Sequence, residues 1–213
     1  MSNLSFLGGL AQYSVLTGAT GPTGPIGATG VANVSTSSYF SLRTVDITFA
    51  TSSISYNVDQ KFSQIRGIGF LRSNNFSLFE RVGIRFNDDT GDNYGFNLHY
   101  VQFSGSIMPS GSYNHSSVSG GDLGMAIGNR GLTGTLSFFE FEIPFYTGTY
   151  NYKTYSCYSC SFFPSGVVDG RHLFATMIQG IWMNTNPITK ITLYQMSGFN
   201  FETGSSVIFQ GEN

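Results

Sequence analysis

The segment GATGPTGPIGATG places Gly18, Gly21, Gly24, Gly27 and Gly30 at every third position, and no other feature restricts so strongly what this chain can form. This is the collagen period. Three left-handed polyproline-type chains wind together only when every third residue lacks a side chain at the crowded axis, and Pro22 and Pro25 preset the extended backbone required. The period predicts a short collagen-like stalk over residues 18–33 and a homotrimer. About five triplets at roughly 3 Å per residue reach only about 45 Å, too short to hold three chains unaided, so the region that follows is expected to trimerise as well. A flexible glycine linker is the competing reading, but a linker has no reason to keep the period, and serine is absent from the segment.

The remainder reads as all-β. Aromatic residues make up 15% of the 213 residues, almost all of them Phe and Tyr, while the usual helix fillers are scarce and Gly, Ser, Thr and Asn supply turns. With 10% of residues charged and a formal net charge of −2, nothing steers the chain to nucleic acid or anionic lipid. Residues 1–17, MSNLSFLGGLAQYSVLT, are short and apolar, with Leu4, Phe6, Leu7, Leu10 and Tyr13 interrupted by Gly8 and Gly9. They carry neither a basic n-region nor a long apolar core, so they predict an N-terminal anchor peptide that docks into a larger partner or packs as a three-chain bundle, not a signal peptide or membrane insertion.

From Val34 onward, short runs alternate with period two between Gly, Asn, Asp, Ser and Pro clusters. Phe139, Phe141 and Ile143 oppose Glu140 and Glu142, and Ile191 and Leu193 oppose Thr192 and Tyr194. About eight to ten such strands without an amphipathic helix predict an antiparallel jelly-roll-like β-sandwich over residues 34–213. The Gly-rich SGGDLGMAIGNRGLTG reads as a long loop, as does Ser110 to Ser119, and Trp182 as core or subunit-interface packing.

Candidate chemistry is sparse. Cys157 and Cys160 resemble half a zinc site, but no second pair exists and His99, His115 and His172 are scattered. Their odd separation in a strand puts the sulfurs on opposite faces, which favours packing thiols over a local disulfide or a metal. Asp88, Asp89 and Asp92 in FNDDTGDNY do not have the spacing of an EF-hand loop, and a tight turn explains them more simply than calcium or an acid/base pair. No nucleophile elbow, paired zinc motif or phosphate loop is present, so neither an enzyme nor a cofactor is expected. Within YTGTYNYKTY, strand spacing would put Tyr146, Tyr150 and Tyr152 on one side as ligand-contact candidates, against a plainer role in sheet packing. The loops near Asp88 to Asn93 and Ser110 to Ser119 are weaker glycan-contact candidates.

The short apolar N-terminus, the triplets, the RFNDDTGDNY element at Arg85 to Tyr94 and the closing NPITKITLYQMSGFNFETGSSVIFQG at Asn186 to Gly211 together resemble structural proteins of tailed bacteriophages. FQG stands here where the family pattern closes on LYG. The resemblance implies a trimeric virion surface protein assembled in the cytoplasm of an infected bacterium. Its first form is a capsid decoration, cement or head-fibre protein anchored on the major capsid protein. Its second is a tail-fibre protein seated in a socket protein and binding a host surface glycan. A bacterial or spore surface collagen-like protein is the reading from outside that class.

Overall fold

The computed structural model describes residues 39–104, 110–131, 133–165 and 170–213. The expected anchor (Leu4, Phe6, Leu7, Leu10, Tyr13) and stalk (Gly18, Gly21, Gly24, Gly27, Gly30) lie outside the described residues. The described chain is all-β: β1 Phe40–Asp46, β2 Ser53–Asn57, β3 Gln64–Leu71, β4 Phe79–Phe86, β5 Tyr94–Ser104, β6 Ser110–Val118, β7 Gly121–Ile127, β8 Ser137–Pro144, β9 Lys153–Ser165, β10 Gly170–Trp182, β11 Lys190–Gln195 and β12 Ser206–Glu212.

These strands form an antiparallel sandwich of an eight-stranded sheet, order β1-β12-β3-β8-β9-β10-β5-β6, and a four-stranded sheet, order β2-β11-β4-β7. Hairpins join β5 to β6, β8 to β9 and β9 to β10; the other connections between successive strands pass from one sheet to the other. The inner faces form one large core, with Ile127 and Phe174 in a smaller cluster beside it. Phe139, Phe141 and Ile143 of β8 are buried while Glu140 and Glu142 are half-exposed, and Ile191 and Leu193 are buried opposite Thr192 and Tyr194, as the alternation predicts. Phe86, Tyr94 and Trp182 pack with ring centroids 5.7 Å (Phe86 to Trp182) and 6.5 Å (Tyr94 to Trp182) apart, so the lone tryptophan is a core residue.

Two expected loops are strands. β7 occupies the middle of the glycine-rich stretch, and it shows no alternation because it is buried on nearly every side. β6 replaces the loop at Ser110 to Ser119; it is exposed along most of its length, so it too lacks an apolar stripe.

β4 is the one strand paired with β7; at the end of its other edge Ile127 bridges Arg72 and accepts the Ser73 N–H (2.8 Å), and the rest of that edge is met by side chains of the opposite sheet. Asp122 N–H donates to the Tyr155 hydroxyl (3.0 Å), the Cys157 thiol donates to the Leu123 carbonyl (3.2 Å), the Ser161 hydroxyl donates to the Met125 carbonyl, and Ile127 N–H donates to the Ser137 hydroxyl (2.7 Å). An unpaired buried edge would leave each of these groups unsatisfied at about 1–3 kcal/mol apiece. Gly124 makes the approach feasible. Its φ is +105°, and a Cβ there would lie 2.1 Å from Ser159 Oγ and 2.6 Å from Thr176 Oγ1. Gly124→Ala is therefore expected to lower the unfolding free energy by about 2 kcal/mol or more, read as a reduced urea midpoint.

Candidate functional site

Three groups of residues bear on function, and the expected tyrosine face is the first. After Pro144 the chain leaves β8 and turns: Phe145 has φ +49° and accepts the Gly148 N–H at its carbonyl. Strand parity therefore does not apply to residues 146–152. Tyr146 is fully buried, its hydroxyl donating to the Asp59 carbonyl, which corrects its assignment as a ligand contact. Tyr150 and Tyr152 do face solvent, 91% and 54% exposed, beside a shallow depression of about 150 Å³. Below them Lys153 is buried, its ammonium donating to the Asn151 and Thr185 carbonyls, and burial lowers its pKa.

The acidic segment is a connection between the sheets, from β4 to β5, not a hairpin turn within one. Its carboxylates point to different partners. Asp88 pairs with Lys190 (2.8 Å), while Asp89 accepts from the Trp182 indole (2.7 Å), Gly91 N–H and Asn93. Asn87 and Asp88, at φ +53° and +56°, turn the chain, and the Asn87 side chain ties it to Thr189 and Lys190. Among the described residues no group of three or more His, Cys, Asp and Glu is placed to hold a metal ion. Both cysteines are free thiols on opposite faces of β9: Cys157 fully buried, with burial raising its pKa strongly, and Cys160 half-buried.

The third group is a cleft that sequence reasoning missed, at the rim where β5 and β6 face β4 and β7. Two adjoining volumes of about 350 and 390 Å³ share Arg81 and His115 as walls. Arg81 is fixed from behind by Asp122, its Nε 2.7 Å from the carboxylate, and the other carboxylate oxygen accepts Gly124 N–H at 2.7 Å. Burial raises the Asp122 pKa, opposed by the nearby Arg81 charge. His115 stacks on Phe96 at 4.9 Å between ring centroids, and the Arg81 guanidinium lies 5.5 Å from the same ring. Arg85 donates from Nε to the Ser119 carbonyl (3.1 Å) and lies 4.1 Å from the Tyr194 ring centroid. A bulge in β7 leaves Leu123 unpaired between the partners of Val82 and Gly83, a device that re-aims side chains along the bulged strand and sets Asp122 beside Arg81. Cations over aromatic faces in a concave rim suit binding and orientation.

No protein family, no curated protein and no solved structure matches the chain.

Burial alone would raise the Asp89 pKa, but hydrogen bonds from Trp182, Asn93 and Gly91 outweigh it and hold the carboxyl below its ordinary value. The stability Asp89 contributes is then complete above the ordinary carboxylate pKa and is lost as pH falls through the lowered folded value. Urea titrations of wild type and Asp89→Asn should differ most at neutral pH and converge on acidification; a gap that is constant with pH contradicts the assignment.

Proposed function

We propose that the chain is a non-enzymatic, homotrimeric structural protein of a bacteriophage virion, a capsid decoration or head-fibre protein. Residues 1–17 seat it on the major capsid protein, the collagen-like stalk over 18–33 lifts it, and the sandwich projects outward. Assembly takes place in the host cytoplasm.

The observation that carries the trimer is an apolar row on the outer face of the eight-stranded sheet. Register places Phe70, Phe138, Cys160, Ala175 and Val101 side by side across β3, β8, β9, β10 and β5. Phe70 and Val101 are 38% and 42% exposed, and Tyr158, Phe162 and Met177 beside them are more exposed still. Contiguous apolar surface of this kind marks interaction sites, and the glycine period calls for two further copies of the same chain. The next row on this face, Ile68, Glu140, Tyr158, Met177 and His99, is mixed, and the row beyond it, Arg66, Glu142, Ser156, Gln179 and Asn97, is polar and suits an interface rim.

The strand order supports a jelly roll. If β2 to β7 and β11 are seven of its eight strands, the small sheet takes the order β2-β11-β4-β7, and the β8–β10 meander stands in place of the remaining strand between β3 and β5. The exposed Tyr150 and Tyr152 favour the second reading, a tail-fibre protein that holds a host glycan.

Full-length protein should have three times the 23.2 kDa chain mass in solution, and Met177→Glu on the outer face should drive it toward monomer. A trimer unaffected by this substitution and by Phe162→Asp would move the interface elsewhere. Particles lacking the protein should capture the full chain but not residues 34–213; capture of the shorter form contradicts an N-terminal anchor, and tight binding of that form to host cells would favour the tail-fibre reading.

A further inference from the structure

We propose that the rim cleft between β4, β6 and β7 is a binding site for a carboxylate-bearing sugar. The inference goes beyond the assembly reading and holds whether the domain stands on a capsid or on a fibre.

Three features converge on this ligand. The first is charge. Arg81 and Arg85 both line the cleft; the carboxylate paired with Arg81, Asp122, has no exposed surface, and Arg85 makes no ion pair among the described residues, Asp88 feeling its charge from farther off while paired with Lys190. Elsewhere Arg66, Arg72 and Lys190 are each paired with a carboxylate that retains at least a quarter of its surface: Glu140, Glu202 and Asp88. Asp122 offsets the charge of Arg81, so the net positive charge of the cleft is that of Arg85, in a chain whose formal net charge is −2. A monoanion entering it meets two guanidinium groups, whose planar forks match a carboxylate in two-pronged geometry.

The second feature is preorganisation. Asp122 engages Nε and Nη2 of Arg81 and leaves Nη1 without a hydrogen-bond partner among the described residues. Arg85 is braced by the Ser119 carbonyl and the Tyr194 ring. Neither arginine has to be ordered when a ligand arrives, so little side-chain entropy is lost on binding.

The third is the wall chemistry. Tyr113, His115 and Met125, with His115 backed by the buried Phe96, give the cleft flat and apolar surfaces on which the C–H face of a sugar ring can lie. A bare phosphate would leave those walls unused. A run of glutamates would use the arginines but brings no ring to place against Tyr113 and His115. Tyr113 is 55% exposed, which leaves this wall open to a ligand.

The test is a two-dimensional NMR titration of the full chain with glucuronate and with N-acetylneuraminate, set against methyl glucoside, inorganic phosphate and a triglutamate peptide. At least one carboxylated sugar should shift the amides of His115, Ser119 and Gly120 in a saturable way at millimolar concentration, with methyl glucoside about tenfold weaker or silent. Arg85→Gln should weaken the sugar about tenfold, and Tyr113→Ala should weaken the sugar while leaving phosphate unchanged. Both substitutions are at partly exposed positions, and an unchanged spectrum away from the cleft confirms folding. Silence of both carboxylated sugars overturns the proposal. So does phosphate or triglutamate binding as tightly as the sugars, which makes the cleft a plain anion or protein contact, and so does sugar binding that survives both substitutions.

Discussion

A strand at the edge of a sheet presents unpaired amides and carbonyls, and burying that edge is costly unless something answers them. In this protein the answer comes from the opposite sheet. Tyr155, Cys157 and Ser161 on β9, with Ser137 on β8, reach across the sandwich to the backbone of β7. Because β9 side chains alternate, residues 155, 157 and 161 share the inward face, and their hydrogen-bonding atoms fall in step with the strand they meet. The small sheet is thereby tied to the large one by directed bonds as well as by apolar packing, which fixes how the two sheets lie on one another.

That tie explains several residues that would otherwise look misplaced. A thiol in the middle of the core is useful here as a donor to the Leu123 carbonyl, and its burial makes the thiolate unfavourable. Gly124 sits where the Ser159 and Thr176 hydroxyls, 2.6 Å apart, leave no room for a Cβ. Tyr155 needs a second glycine: its ring lies against Gly180, its register partner on β10, where a Cβ would approach to 2.0 Å. Toward β6 no such side-chain ladder exists among the described residues, the sheets part at the rim, and the Arg81 and Asp122 pair stands at the opening. The closed edge and the open cleft are two sides of one packing solution.

Much of this fold was legible in the sequence where one face of a strand is buried and the other is wet. Phe139, Phe141 and Ile143, or Ile191 and Leu193, announce their strands because water and core enforce a period of two. β6 and β7 were not legible, for opposite reasons: β6 buries almost nothing, and β7 is buried on both faces and carries glycines that mimic turns. Tyr146 was misjudged because the chain turns at Phe145, so parity counted from β8 no longer holds. The cleft was invisible for a third reason. Arg81, His115 and Asp122 belong to three strands, and only the pairing of β4 with β7, set against the β5–β6 hairpin, brings them together.

The side-chain seal on β7 fixes the placement of the two sheets, and hydrogen exchange tests it directly. The amides of Asp122, Gly124 and Ile127 should exchange among the slowest in the protein, through global unfolding only, and Ser137→Ala should speed Ile127 selectively. Exchange of these amides at the rates of the exposed edge strand β6 would contradict the seal and, with it, the placement of the two sheets.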